Sequence, residues 1–300
     1  MPLIASPAVL RALDVLEAMA ADPGAALTVS ELARRLEMPR ATCHSVLIAL
    51  TERGYVMRGD GDLRYQLGPA TIAVGDAARS INSALEVTAH QAQLLAVQTS
   101  TCVAVSLRSG DETRLVQLFD HGGPFAGRGQ VGQSMRLAPP FGAAFVAWGG
   151  EAEITAWLDA AGVPLDKKAR TRYREALRAV RKRGYSITVA TPRNPEFAAA
   201  LKTLATRPDA EDARRVRDEL ALELTHSEYL PADLDDTGSV RMLQASAPVF
   251  DARGRAVAKI MLFGPGYDLT AQEVDAIGTG VRAAADRATR NNGGRQPESS

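Results

Sequence analysis

A chain of 300 residues, 46% of them hydrophobic and 23% charged, can bury sizeable cores, and its length favours two domains. Thirty-five basic residues balance 35 acidic ones, so net charge gives no sign of a polyanion-binding protein. No apolar run reaches the roughly 18 residues of a membrane span, the opening MPLIASPAVLRALDV lacks the features of a secretory signal, and two separate cysteines, Cys43 and Cys102, make no disulfide framework; a reduced, cytoplasmic protein with no membrane partner is expected.

Ser6-Pro7 suits a helix start, and Val9, Leu10, Leu13, Leu16 and Ala20 form an apolar stripe that ends at Asp22-Pro23-Gly24. Thr28-Val29-Ser30-Glu31 fits a capping box for a second helix with Leu32, Ala33 and Leu36 inward. Glu37-Met38 is a tight turn and Pro39 starts a third helix, whose Cys43, Val46, Leu47 and Leu50 share one face. Gly54 ends it. Tyr55–Arg58 and Leu63–Leu67 then alternate around a Gly59–Asp62 turn as a β-hairpin. Two short helices, a turn and a hairpin in this order outline a winged helix-turn-helix, whose second helix enters the DNA major groove. Within residues 34–64 six arginines face four acids, a modest local excess.

Residues 69–83 read as a linking helix, and Leu85–Thr99 as a second. Cys102–Ser106 and Arg114–Phe119 form a hairpin around Gly110-Asp111-Glu112. Helices are expected at 141–160, 167–183 and 208–225, the last with Ala213, Val216, Leu220 and Leu224 on one side, and strands at 185–190, 240–250 and 256–263. Hairpins with helices between them imply an antiparallel sheet flanked by helices, an α+β class. The final NNGGRQPESS reads as a disordered tail.

Catalytic signatures are missing. His44, His90, His121 and His226 stand singly, with no metal-ligand spacing, and the glycine-rich Gly122–Gly129 has no Walker lysine or GxGxxG. No GxSxG elbow is present. No metal, cofactor or enzymatic activity is expected.

The chain resembles IclR-type transcriptional regulators in Arg11–Leu16, Met38–Thr42, Gly54-Tyr55-Val56, Tyr65–Gly68, Val131–Ala144, Arg183-Gly184-Tyr185 and Ala247–Asp251. The resemblance implies a winged-helix DNA-binding domain (1–68), a linker helix (69–84) and a GAF-like effector-binding domain (85–290, with an insertion at 191–238), before the tail at 291–300. It implies a homodimer or homotetramer that binds an operator in double-stranded DNA, as a repressor, under control of a small organic acid. Three departures stand out: His44 and Ser45 replace the family's usual aromatic-arginine pair, Phe141–Ala144 replaces Ser-Gly-Lys-Ala, and Gln244 replaces a common cysteine.

Candidate DNA-contacting residues are Thr28, Ser30, Arg40, Ala41, Thr42, His44, Ser45, Ile48, Arg58 and Arg64: a basic, small and hydrogen-bonding set around the third helix and wing. An effector would lie where the sheet meets the helix after Pro140. There Gly142 and Ala143 expose helix-start amides, Phe119, Met135, Leu137 and Phe141 form apolar walls, and Gln244 adds a polar group. The alternative is a small-molecule-binding or enzymatic module whose winged helix serves only dimerisation.

Overall fold

A computed structural model of the chain describes residues 6–22, 24–59, 61, 63–121, 131–190, 196, 199–200, 203–204, 210–226, 231, 233 and 238–297. It divides into two compact units, one built on residues up to Asn82 with 200–214, the other on 83–199 and from 215 onward.

In the first unit, Pro7 opens α1 (Pro7–Ala20), although the Ser6 hydroxyl makes no cap bond. The capping box at α2 (Val29–Arg35) forms as expected: Thr28 Oγ1 accepts from the Glu31 amide (3.2 Å), and the Thr28 amide donates to Glu31 Oε2 (2.7 Å). Pro39 is the N-cap of α3 (Arg40–Glu52). The strands β2 (Val56–Arg58) and β3 (Arg64–Leu67) make the wing, and β1 (Leu27–Thr28) pairs with β3 on its other edge. Gly68 is required where the wing closes, because a Cβ there would collide with the Gly54 carbonyl.

The core of this unit joins Val15, Met19, Leu32, Cys43, Leu47, Val56 and Tyr65. The stripe read from α1 is largely outside it. Val9, Leu10, Leu13 and Ala20 are exposed, whereas Val15, Ala18 and Met19 are buried. This helix carries two apolar faces, and periodicity alone does not say which one its own unit covers. The next helix, α4 (Pro69–Ser80), has no buried residue at all.

The second unit is organised on a six-stranded antiparallel sheet in the order β6-β5-β4-β10-β9-β7. Its strands are β4 (Cys102–Ser109), β5 (Glu112–Asp120), β6 (Ser134–Arg136), β7 (Ser186–Val189), β9 (Met242–Phe250) and β10 (Ala256–Phe263). Two further short strands, β8 (Ser239–Val240) and β11 (Leu269–Thr270), pair with each other. One sheet face carries Val103, Val105, Ile187, Ala245, Ala247, Val249, Ala258, Ile260 and Leu262. It is covered by α5 (Ser83–Thr99) and the C-terminal helix. Each fully buried Ile or Leu here contributes about 1.5–3 kcal/mol relative to exposure.

The region expected as one helix over 141–160 is two: α6 (Ala143–Val146) and α7 (Glu151–Asp159). Gly149 and Gly150 interrupt it, and a Cβ at Gly149 would meet the Glu153 side chain. The helix α8 (Lys167–Arg183) is capped by Asp166, whose carboxylate accepts from the Ala169 amide at 2.7 Å, and ends at Gly184 in the left-handed region. Together α6, α7 and α8 bury Phe145, Trp148, Trp157, Tyr173 and Leu177 against Phe250 at one end of the sheet.

Within the expected insertion, α9 (Glu211–His226) has Ala213 and Leu220 buried and Val216 half-buried. The Leu224 side chain, the Gly122–Gly129 loop and most of 191–209 and 227–237 lie outside the described residues, as do Pro23 and the wing-turn residues Asp60 and Asp62.

The C-terminal helix α10 (Ala271–Asn291) was not among the expected elements, though Thr270 and Glu273 form a second capping box at its start. The tail read as disordered is tied down as far as Arg295: the Gly294 amide donates to the Thr289 carbonyl (2.8 Å) and the Arg295 amide to that of Asp251 (3.2 Å). Residues 298–300 of that tail lie outside the described residues.

Gly278 lets α10 lie against the Tyr185 ring, which occupies the place a Cβ would take. The Tyr185 hydroxyl donates to Asp275 one turn earlier, and burial first, then this bond, pushes its ionisation upward. Gly278→Ala is therefore expected to destabilise the chain by about 1–3 kcal/mol through overpacking, despite the better helix propensity of alanine. A lowered midpoint in urea denaturation checks this.

Candidate functional site

The helix-turn-helix surface is assembled from two ends. Inward anchoring of α3 by Cys43 and Leu47, both fully buried, turns Arg40, Ala41, His44, Ser45 and Ile48 outward on one face. Thr42 is half-buried beside them. The Ser45 hydroxyl donates to the Ala41 carbonyl at 3.0 Å, which leaves its oxygen able to accept. Ile48, 46% exposed, is an apolar residue in the middle of this polar face. Ser30 is exposed in the first turn of α2. Arg58 is exposed on the wing, its guanidinium 5.8 Å from the centre of the Tyr65 ring.

Two of the ten candidates are engaged elsewhere. Arg64 donates to the Ala26 carbonyl (2.8 Å) and to Glu31 Oε2 (3.3 Å). Thr28 spends its hydroxyl on the capping box, giving its proton to the same Glu31 oxygen at 2.9 Å. Glu31 thus ties the start of α2 to the wing. The Thr28 bonds first, and Arg64 and Arg34 after them, hold the Glu31 carboxyl below its ordinary value.

In the second unit, only part of the expected effector set converges. Leu137 and Ala143 are buried in one cluster, and Gly142, left-handed at φ 88°, sits against Leu137. Phe141 is half-buried and its carbonyl accepts from Trp157 Nε1 at 2.7 Å. At four residues, α6 is too short to supply the helix-end field expected there. Met135 lies on the edge strand opposite Thr113. Phe119 packs into the opposite sheet face, opposite Val103, with α5 and α10. The reason is a bulge: Ser106 pairs with Leu115 but Val105 with Gln117, and the extra residue reverses the facing of everything beyond it.

The sheet face away from α5 and α10 carries the expected Gln244 and, beside it, polar residues that sequence reading missed. Lys259 stands between Ser106 on β4 and Pro248 on β9; Met261 lies between Ala104 and Ser246, with Ser186 beyond. Gln244, half-buried, lies between Phe263 and Thr188 on the same face. Ser106, Ser186, Thr188, Ser246 and Lys259 are all buried. The Ser186 hydroxyl reaches the Ser246 carbonyl only at 3.4 Å, and the Thr188 and Thr113 hydroxyls have no partner among the described residues. A buried sheet face with orphaned hydroxyls departs from the usual satisfaction of interior polar groups. The legible signal was a lysine in the middle of the apolar AVAKIMLF strand, with polar residues at alternate positions in Ser186 and Thr188 and in Gln244 and Ser246. Among the described residues no group of histidine, cysteine and carboxylate side chains is arranged to hold a metal, and no helix is long and apolar enough to cross a membrane.

Comparison with known proteins bears on both units. Residues 8–60 match the model of the IclR helix-turn-helix domain. No curated protein sequence matches the chain. Among solved structures, an IclR transcriptional regulator from Alicyclobacillus acidocaldarius is similar at TM-score 0.63 and 18% identity, over 97% of this chain and 100% of that one. The IclR of Thermotoga maritima is similar at 0.60 and 18%, over 95% and 98%. An IclR homologue from Microbacterium hydrocarbonoxydans, solved with 4-hydroxybenzoate, is similar at 0.61 and 15%, over 95% and 98%. The N-terminal match is to a named domain; the longer likeness, at these identities, is one of fold. Both agree with the IclR-type resemblance read from the motifs.

Thr28→Ala removes the cap of α2 and one of the bonds that orient Glu31, and is expected to cost about 1 kcal/mol, read from chemical denaturation. Because the folded Glu31 ionises below its ordinary value of 4.5, its contribution is complete above that pH and is lost as pH falls through the lower folded value. Glu31→Gln should therefore flatten part of the acid limb of the stability curve.

Proposed function

We propose that this chain, which has an IclR-type helix-turn-helix domain at its N-terminus and an IclR-type fold along its length, is a DNA-binding transcriptional regulator that acts as a homo-oligomer and responds to a small organic acid. The observation that carries the reading is the outward face of α3. Arg40, His44 and Ser45 offer donors and acceptors, Ile48 offers a surface for a thymine methyl group, and Arg58 extends the positive edge along the wing. The α3 N-terminus has no side-chain cap, so its first amides are free for a phosphate. Ser45 stands where an arginine is usual in the family, which removes one strong contact and shifts recognition toward Arg40 and the wing.

Self-association is supported by apolar residues left uncovered in the first unit: Val9, Leu10 and Leu13 on α1, and Ile72 and Val74 on α4 at 66% and 54% exposure. A dimer would present two recognition helices to a near-palindromic site. Response to a small molecule is supported by the buried polar sheet face and by the fold shared with the 4-hydroxybenzoate-bound homologue. Effector binding would act by favouring one of two oligomer conformations that differ in operator affinity.

The test is a footprint on the DNA upstream of the protein's own gene at two salt concentrations. A protected, near-palindromic site surviving at the higher salt is the expected result; protection lost with modest salt would favour the alternative in which the winged helix only dimerises. Arg40→Ala should weaken operator binding by about 1–3 kcal/mol with unchanged folding. Arg64→Ala should lower stability as well, because its guanidinium holds Ala26 and Glu31. Leu13→Glu with Ile72→Glu should shift sedimentation toward monomer and abolish the footprint.

A further inference from the structure

We infer that Lys259 is the anion-recognising group of the ligand site: its ammonium, set within the second unit on the polar face of the sheet, receives the carboxylate of a small organic acid and makes the site select charged ligands over neutral ones. This rests on the reading that the face takes a ligand, and adds which side chain decides the ligand's charge.

The position is internal. Lys259 is the fourth residue of β10, only 8% exposed, with Ser106 directly opposite on one neighbouring strand and Pro248 on the other. On its far side the Phe145 ring of α6 lies with its centre 5.6 Å from Nζ. Among the described residues no carboxylate pairs with the amine, and burial is the sole influence on its ionisation, drawing it down to about 8. When protonated, the amine is a cation in the interior with no counter-ion among the described residues.

A buried ion with no opposite charge is among the least favourable arrangements in a folded protein, and the face of one aromatic ring offsets only part of it. A methionine would fill the same volume at no such cost, as Met261 does two residues on. Lysine at 259 makes physical sense if an anion arrives. The surroundings suit a carboxylate: the Ser106 side chain is the cross-strand neighbour, and Ser246, with Ser186 beside it, lies in the next row of the same face. The Phe145 ring, itself packed in an apolar cluster with Leu137 and Ala143, offers a surface beside the ammonium for the hydrocarbon part of such an acid. The charge comes from the strand, then, and not from the four-residue α6.

The experiment uses the full chain at constant ionic strength. Thermal unfolding of the wild type is followed with acetate, pyruvate, benzoate and 4-hydroxybenzoate, each against its own amide, and repeated with Lys259→Met and Lys259→Gln. The expected result is that at least one acid raises the wild-type Tm while its amide does not, with the acid's affinity falling about tenfold or more in both variants. Lys259→Met without ligand should be at least as stable as the wild type, since a buried amine with no carboxylate partner among the described residues is gone. If neither variant folds, NMR of the lysine ε-methylene groups in the wild type decides: the acid alone should shift the Lys259 signal. Acids no better than amides in the wild type, equal acid effects in wild type and variants, or an unmoved Lys259 signal would each overturn the inference. The two readings separate cleanly. A Lys259-dependent acid preference in a protein that gives no footprint removes the regulator reading and keeps this one; a footprint with no acid preference does the reverse.

Discussion

Alternation along six antiparallel strands divides the sheet of the second unit into an apolar face and a mixed face, on which polar residues stand beside the apolar Ala104, Leu115, Met261 and Phe263, and most of what that unit can do follows from the division. Residues two apart share a face, so Val103, Val105, Ala258, Ile260 and Leu262 must all point the same way once any one of them is committed to α5 and α10. The apolar side is then a continuous layer whose burial supplies the stability. The intervening residues, Ser106, Lys259, Met261, Gln244 and Ser246, are forced onto the other face whether or not their chemistry suits an interior. A fold that already has its core on one side can hold hydroxyls, an amide and an amine on the other.

The first unit depends on a smaller knot of the same logical kind. Glu31 receives the Thr28 amide and hydroxyl and the Arg64 guanidinium, so one carboxylate sets the start of α2 and the position of the wing strand together. Neither partner is then free to act only as a DNA contact. The surface left for the proposed DNA contact is narrower than the set of polar residues near the turn: the outward side of α3, Ser30 and Arg58. With His44 and Ser45 at the centre of that side, the proposed recognition would rely on hydrogen bonding and shape more than on charge, in keeping with the neutral composition of the chain.

Uncovered apolar residues support the proposed self-association. On α1 and α4 the exposed leucines, valines and isoleucines are too numerous for scattered surface hydrophobes, and α4 buries nothing in its own unit. A helix of this composition is stable in water when a second surface covers it, so in the proposed dimer association would be coupled to the geometry of the outward face of α3.

Local chemistry was legible in the sequence. The capping box at Thr28 and Glu31, the anchoring of α3 by Cys43 and Leu47, the hairpins at 102–120 and 242–263, and α8 from 167 to 183 all follow from spacing and end signals that act within a few residues. What needed the tertiary structure was the direction in which each side chain points. A single bulge between Val105 and Ser106 carried Phe119 to the far side of the sheet, two glycines cut one expected helix into α6 and α7, and the second face of α1 turned outward. The residues of the proposed ligand face come from β4, β7, β9 and β10, strands separated by up to about 160 positions in the chain. No local signal joins Ser106 to Lys259. Periodicity is a property of neighbours in sequence and determines the elements; which face meets which, and hence where a lysine is buried, is decided only when distant strands pair.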